Sequence, residues 1–71
     1  MRYAVVVEKS KNGFGAYVPD LQGCVAVAET RKEVLQLIQE AIEFHLEGLR
    51  EDGEKIPQPR SQVEYIEVFA A

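Results

Sequence analysis

Three short runs rich in β-branched and aromatic residues precede one long run with helical spacing, and a fourth short run follows it. Arg2 to Glu8 is the first, and its Tyr3 and Val5 to Val7 predict a strand. Ser10-Lys11-Asn12-Gly13 predicts a hairpin turn, with Asn-Gly as the source of positive φ. Phe14 to Val18 predicts a second strand, in which Gly15 marks a bulge or a close backbone approach. Pro19-Asp20 ends that strand, because proline has no N–H for a ladder, and Leu21-Gln22-Gly23 continues the loop. Cys24 to Ala28, small residues alternating with valine, predicts a third strand.

From Thr30 the period changes. Thr30 with Glu33 three residues on forms a capping-box pattern, and helical spacing then runs from about Arg31 to about Arg50. At about 100° per residue, Val34, Ile38, Ala41, Ile42, His45 and Leu49 share one face. Leu35 and Leu46 widen that face on one side, and Leu37 and Phe44 on the other, giving an apolar arc of roughly 200°. One sheet does not cover so wide an arc, so the helix is expected to pack on a further surface as well. The opposite arc carries Glu40, Glu43 and Glu47. Gly53 predicts the helix stop, and Ile56-Pro57-Gln58-Pro59 an extended connector. Val63 to Phe69 predicts a fourth strand. The expected fold is α+β, ordered β-β-β-α-β, with a small antiparallel-rich sheet and one long helix on one face. It is expected to form a single domain over residues 1–71.

Size limits what this domain achieves alone. A core built from 71 residues rarely supplies more than about 3–5 kcal/mol. Cys24 is the only cysteine and His45 the only histidine, so neither a disulfide nor a Cys/His metal cluster is expected. Oligomerisation is the remaining common stabiliser, and a dimer or tetramer is expected. The net charge of -4 and the scattered basic residues argue against direct nucleic-acid binding, which needs clustered Lys and Arg. A basic protein partner suits the surface better. No stretch approaches the ~18 apolar residues of a membrane span, and the apolar N-terminal run is too short for a signal peptide. The chain reads as cytoplasmic.

Few residues offer chemistry. Cys24 and His45 are the candidate nucleophile and base, a pairing that needs a lowered thiol pKa. The simpler reading makes Cys24 a small apolar strand residue and His45 a hydrogen-bonded core or interface residue, with a pH-sensitive contact as the alternative. Asp20, Glu29 and Glu33 would make a Mg²⁺ site if they converged. The turn already accounts for Asp20, and the capping box for Glu33. Gly13-Phe14-Gly15 lacks the following Lys and helix of a phosphate loop. No metal, cofactor or catalytic residue is therefore assigned.

The segment Phe14-Gly15-Ala16-Tyr17-Val18-Pro19-Asp20-Leu21-Gln22-Gly23-Cys24 resembles the signature of the HicB-like antitoxin family, a strand followed by Pro-Asp-Leu-Pro-Gly-Cys. Thr30, Glu33, Glu40-Ala41-Ile42 and Gly53-x-x-Ile56-Pro57-x-Pro59 fall where that family has its helix cap, helix core and exit loop. Gln22 stands in place of the usual proline, and Ala28-Glu29 in place of Gly-Asp. The resemblance implies a partial ribonuclease-H-like fold without catalytic carboxylates, corresponding to the family's N-terminal, toxin-binding domain. It implies a non-enzymatic, protein-binding role that neutralises a small basic, mRNA-cleaving, HicA-like toxin by occlusion, with homo-oligomers. The alternatives are an orphan structural or regulatory homo-oligomer without a toxin partner, and a small metal-dependent hydrolase. On the leading reading, Pro19, Asp20, Leu21, Gly23 and Cys24 of the loop and Glu40, Glu43 and Glu47 of the helix are the candidate partner contacts. Leu37, Phe44 and His45 are the candidate oligomer contacts.

Overall fold

The computed structural model describes residues 1–70. Its elements are β1 (Val6–Ser10), β2 (Gly13–Tyr17), β3 (Val25–Ala28) and α1 (Arg31–Glu51). The strands form one antiparallel sheet in the order β1-β2-β3, and α1 packs on β3 and β2. The expected α+β class and single long helix are both present.

The hairpin sets the register, pairing Ser10 with Gly13 and Val6 with Tyr17. Its two loop residues, Lys11 and Asn12, both keep negative φ; the unusual backbone belongs to Gly13, at φ 156°. A Cβ there would run into the Ala28 carbonyl oxygen. Gly15 is no bulge, since it pairs regularly with both Glu8 and Val27. β1 begins at Val6 and not at Arg2 because β2 ends at Tyr17 and the chain then turns away. Residues 2–5 find no ladder partner there.

Alternation decides the two faces of the sheet. Phe14, Ala16, Ala26 and Ala28 turn toward α1, with Val5 and Val7 on the same side. The core consists of Ala16, Val18, Leu21, Cys24, Val34 and Ile38, with Phe14, Ala41, Ile42 and Leu46 packed around it. The small residues of β3 face inward because α1 lies close over them. Its valines face out, with Val25 63% and Val27 77% exposed.

The helix ends behave as the sequence predicts. Thr30 Oγ1 accepts the Glu33 N–H at 3.1 Å. The return bond differs from a standard capping box, because the Thr30 hydroxyl donates to Glu33 Oε1 at 2.8 Å. At the other end Gly53 takes φ 71°. The Gly53 N–H donates to the Arg50 carbonyl and the Glu54 N–H to the Leu49 carbonyl, at 3.1 and 2.9 Å. That bond pair is a Schellman motif.

The expected fourth strand is absent from the single chain. Among the described residues, 63–69 pair with no strand. β-propensity records only that side chains fit a pleated, half-buried surface, and within one chain this segment meets no such surface. It stands away from the body, and the molecule measures 51 Å along its longest axis. The radius of gyration is 14.1 Å, against about 11 Å for a compact chain of this length.

Candidate protein-binding surface

The loop between β2 and β3 is two linked turns. The Leu21 N–H donates to the Val18 carbonyl and the Cys24 N–H to the Leu21 carbonyl, while the Val18 N–H donates across the base to the Cys24 carbonyl, all at 3.1 Å. Pro19 occupies the second position of the first turn, where its fixed φ is preformed. Gly23, at φ 82°, fills the third position of the second turn, where a type II turn requires positive φ. Gln22 stands at the second position of that turn, which accepts proline but does not require it.

These turns drive Leu21 and Cys24 into the core, where they are 1% and 3% exposed. Within the single chain both side chains belong to the core and not to its surface. They were placed on a surface loop because loops usually run over the surface; here the loop folds back over the end of the sheet and its apolar side chains close the core. Burial also pushes the Cys24 thiol up from its ordinary value, the reverse of what an activated nucleophile needs. Pro19 and Gly23 remain exposed.

Asp20 is half-buried and already engaged. Its Oδ2 accepts the N–H groups of Arg60 and Ser61 at 2.7 and 2.8 Å, and its Oδ1 accepts the Ser61 hydroxyl at 2.7 Å. The backbone N–H of Ser61 is the largest cause holding this carboxyl below its ordinary value, followed by the backbone N–H of Arg60 and the Ser61 hydroxyl. Asp20 therefore fastens the exit connector to the loop. Beside it the Tyr3 hydroxyl donates to the Pro57 carbonyl. Nothing local in the sequence announces either link, because the partners lie 41 and 54 residues away. Among the described residues, no group of three acidic, His or Cys side chains is placed to hold a metal.

The helix presents the other candidates. Val34 and Ile38 are buried against the sheet, and His45 is half-buried. Glu40, Glu43 and Glu47 are exposed, and so are Leu37 at 42% and Phe44 at 81%. At about 100° per residue, Leu37 and Phe44 lie along the border of the acidic stripe. The result is one strip of carboxylates edged by two apolar side chains. The outer face of the sheet is a second apolar area, where Val25 and Val27 stand beside Tyr17, 40% exposed, and Gly15. The valine-alanine alternation of β3 was its only sequence signal, and it does not say which set faces the helix.

The family model describing the HicB-like antitoxin of bacterial toxin–antitoxin systems matches residues 3–69. The chain belongs to this family. An uncharacterized 14.9 kDa protein of Haemophilus phage HP1 is 38% identical over 66 residues, covering 93% of this chain and 50% of its own length. A UPF0150 protein of Thermoplasma acidophilum is 41% identical over 71 residues, covering 99% of this chain and 100% of its own length. Antitoxin HicB 2 of Photorhabdus laumondii is 32% identical over 72 residues, covering 100% of this chain and 52% of its own length. The chain thus spans about half of the phage and Photorhabdus proteins and the whole of the archaeal one. Among solved structures, a chain of a HicA3 and HicB3 toxin–antitoxin complex superimposes with a TM-score of 0.71 at 30% identity, covering 84% of this chain and 70% of that one. No helix among the described residues is long and apolar enough to cross a membrane.

Proposed function

We propose that this domain is the toxin-binding module of an antitoxin: it neutralises a small, basic, mRNA-cleaving, HicA-like toxin by covering its active surface, and performs no catalysis itself. The observation that carries the reading is the exposed helix strip of Glu40, Glu43 and Glu47 bordered by Leu37 and Phe44, on a chain of this family. Carboxylates speed and orient encounter with a basic partner. Exposed aromatic and aliphatic side chains beside them supply the desolvated contacts that hold a complex together. The likeness to a chain of a toxin–antitoxin complex supports the same reading. In this reading Asp20 is a structural fastener, and Pro19 and Gly23 are the parts of the loop left to touch a partner.

The test is RNA cleavage by a HicA-like toxin encoded beside this chain, measured with and without the domain. Cleavage should stop at stoichiometric domain, with a stable complex on size exclusion. Undiminished cleavage without a complex would move the chain to the orphan homo-oligomer reading. RNA hydrolysis by the purified domain alone would overturn the non-enzymatic assignment.

A further inference from the structure

Gly15 lies in the middle of the central strand, where glycine weakens a sheet, and the chain itself gives no reason for it. Its φ is not in the left-handed region. A Cβ built there would meet its nearest neighbours, the Ala26 carbonyl oxygen and Val27 Cγ1, at 3.9 Å, an ordinary contact. Its pairing with Glu8 and Val27 is regular. A strand glycine that serves neither backbone nor packing marks a place where something else comes close.

What Gly15 opens is a depression of about 520 Å³ at the hairpin end of the sheet's outer face. Alternation puts Glu8, Gly15 and Val27 in one row across the three strands and Ser10 and Gly13 in the next, with Glu29 beside Gly13. Two glycines thus pave the floor. Two exposed carboxylates stand on opposite sides of it, Glu8 on β1 and Glu29 just after β3. Among the described residues, none that lines the depression is a lysine or arginine, and Lys9 pairs with Phe14 on the helix side. No third acidic, His or Cys side chain among the described residues joins the two carboxylates to make a metal site. Beyond the depression the same face continues as Val27, Val25 and Tyr17, which are 77%, 63% and 40% exposed.

We propose that this face is a second docking surface, which seats an arginine of a basic protein partner in the depression. The guanidinium is flat and carries five donors, so it lies on a floor without side chains and reaches a carboxylate on either hand. A lysine ammonium is a compact, strongly hydrated point charge and gains less from such a floor. The valines and Tyr17 receive the apolar neighbours of that arginine, and the carboxylates attract a basic partner by complementary charge. The acidic helix strip lies on the other side of the sheet, so one surface is filled without the other. This inference does not rest on the toxin-binding reading and fails separately from it.

The experiment is an amide-resolved NMR titration of the full chain with the peptide acetyl-Val-Arg-Val-amide, and with the same peptide carrying citrulline, which keeps the shape and loses the charge. The arginine peptide should shift the amides of Gly13, Gly15 and Val27 saturably, and the citrulline peptide should bind at least ~10-fold more weakly. Gly15→Val fills the depression and leaves both carboxylates in place. It should weaken the arginine peptide at least ~10-fold while raising the melting temperature by about 2–8 °C, a pair of changes that a purely structural glycine does not give. Glu8→Gln combined with Glu29→Gln should weaken the peptide as much and leave the melt nearly unchanged. The absence of saturable shifts, equal binding of the two peptides, or undiminished binding to Gly15→Val would each overturn the proposal. So would shifts of these amides that grow with protein concentration without peptide, which would make a second copy the occupant. If Gly15→Val fails to fold, the double glutamine variant and the citrulline comparison decide it.

Discussion

Asp20 holds Ser61 twice, accepting its backbone N–H on one carboxylate oxygen at 2.8 Å and its hydroxyl on the other at 2.7 Å. The ionised form makes these bonds, so the carboxyl titrates below its ordinary value of 3.8. A lowered folded-state pKa means that the stabilisation is present above the unfolded value and is lost as pH falls through the folded one. The protection factors of the Arg60 and Ser61 amides, exchange rates taken relative to the unfolded chain at the same pH, should therefore be high at neutral pH and fall only as the solution is acidified below 3.8. Asp20→Ala should abolish the protection at every pH, and Asp20→Asn should retain part of it.

Leu21 is 1% exposed although it belongs to a loop. Leu21→Ala should cost about 2–5 kcal/mol, comparable with the whole stability of a domain this small. Denaturant titration should find the variant largely unfolded, whereas replacing the exposed neighbour Gln22 with alanine should change little.

The second turn of that loop permits a stabilising change. Gln22 is exposed, and its N–H makes no backbone hydrogen bond in the loop. Gln22→Pro should raise stability by about 0.4–1 kcal/mol by restricting the unfolded chain. Gly23→Ala should lower it by about 1–2 kcal/mol through the left-handed backbone alone, since no atom lies within 4 Å of a Cβ placed there. Thermal melts of the two variants should shift in opposite directions.

The Cys24 thiol is buried, and burial raises its pKa. A thiol reagent should therefore label the native protein only as fast as the loop opens. Labelling that is rapid in native buffer and insensitive to denaturant would contradict the buried placement.

Reversing the charge of the helix strip separates folding from binding. Glu40→Lys, Glu43→Lys and Glu47→Lys together alter exposed positions, where single substitutions usually stay within about 0.5 kcal/mol. The melt should be nearly unchanged. Association with a basic toxin should slow by at least ~10-fold and lose its salt dependence, because steering charges act mainly on the on-rate.

The helix was legible because three independent signals agree: the Thr30–Glu33 pair, the apolar spacing and Gly53. The β2–β3 loop was legible as a turn from Pro19-Asp20, but its depth was not. Which loop side chains go inward depends on the space left at the end of the sheet, and no spacing along the chain encodes that. β1 was placed too early for a similar reason. Arg2 to Val5 have the composition of a strand, and the turn after Tyr17 takes away their partner. For the candidate site, the acidic stripe follows from periodicity, whereas the clasp on Asp20 joins residues with no shared local pattern. The segment 63–69 has the composition of a strand, but within the single chain it pairs with none, because composition does not supply a neighbouring strand.

The two long-distance fasteners, Tyr3 to Pro57 and Asp20 to Ser61, also set the order of events. The hairpin, the third strand and the helix each pack on elements close to them in sequence, and such local contacts form quickly. Each fastener closes a loop of more than forty residues and gains its bonds only once the body exists to receive it. The connector is therefore the last part to settle and the first to open, and a protease given limited time should cut between Gly53 and Gln62 while leaving the sheet and helix whole.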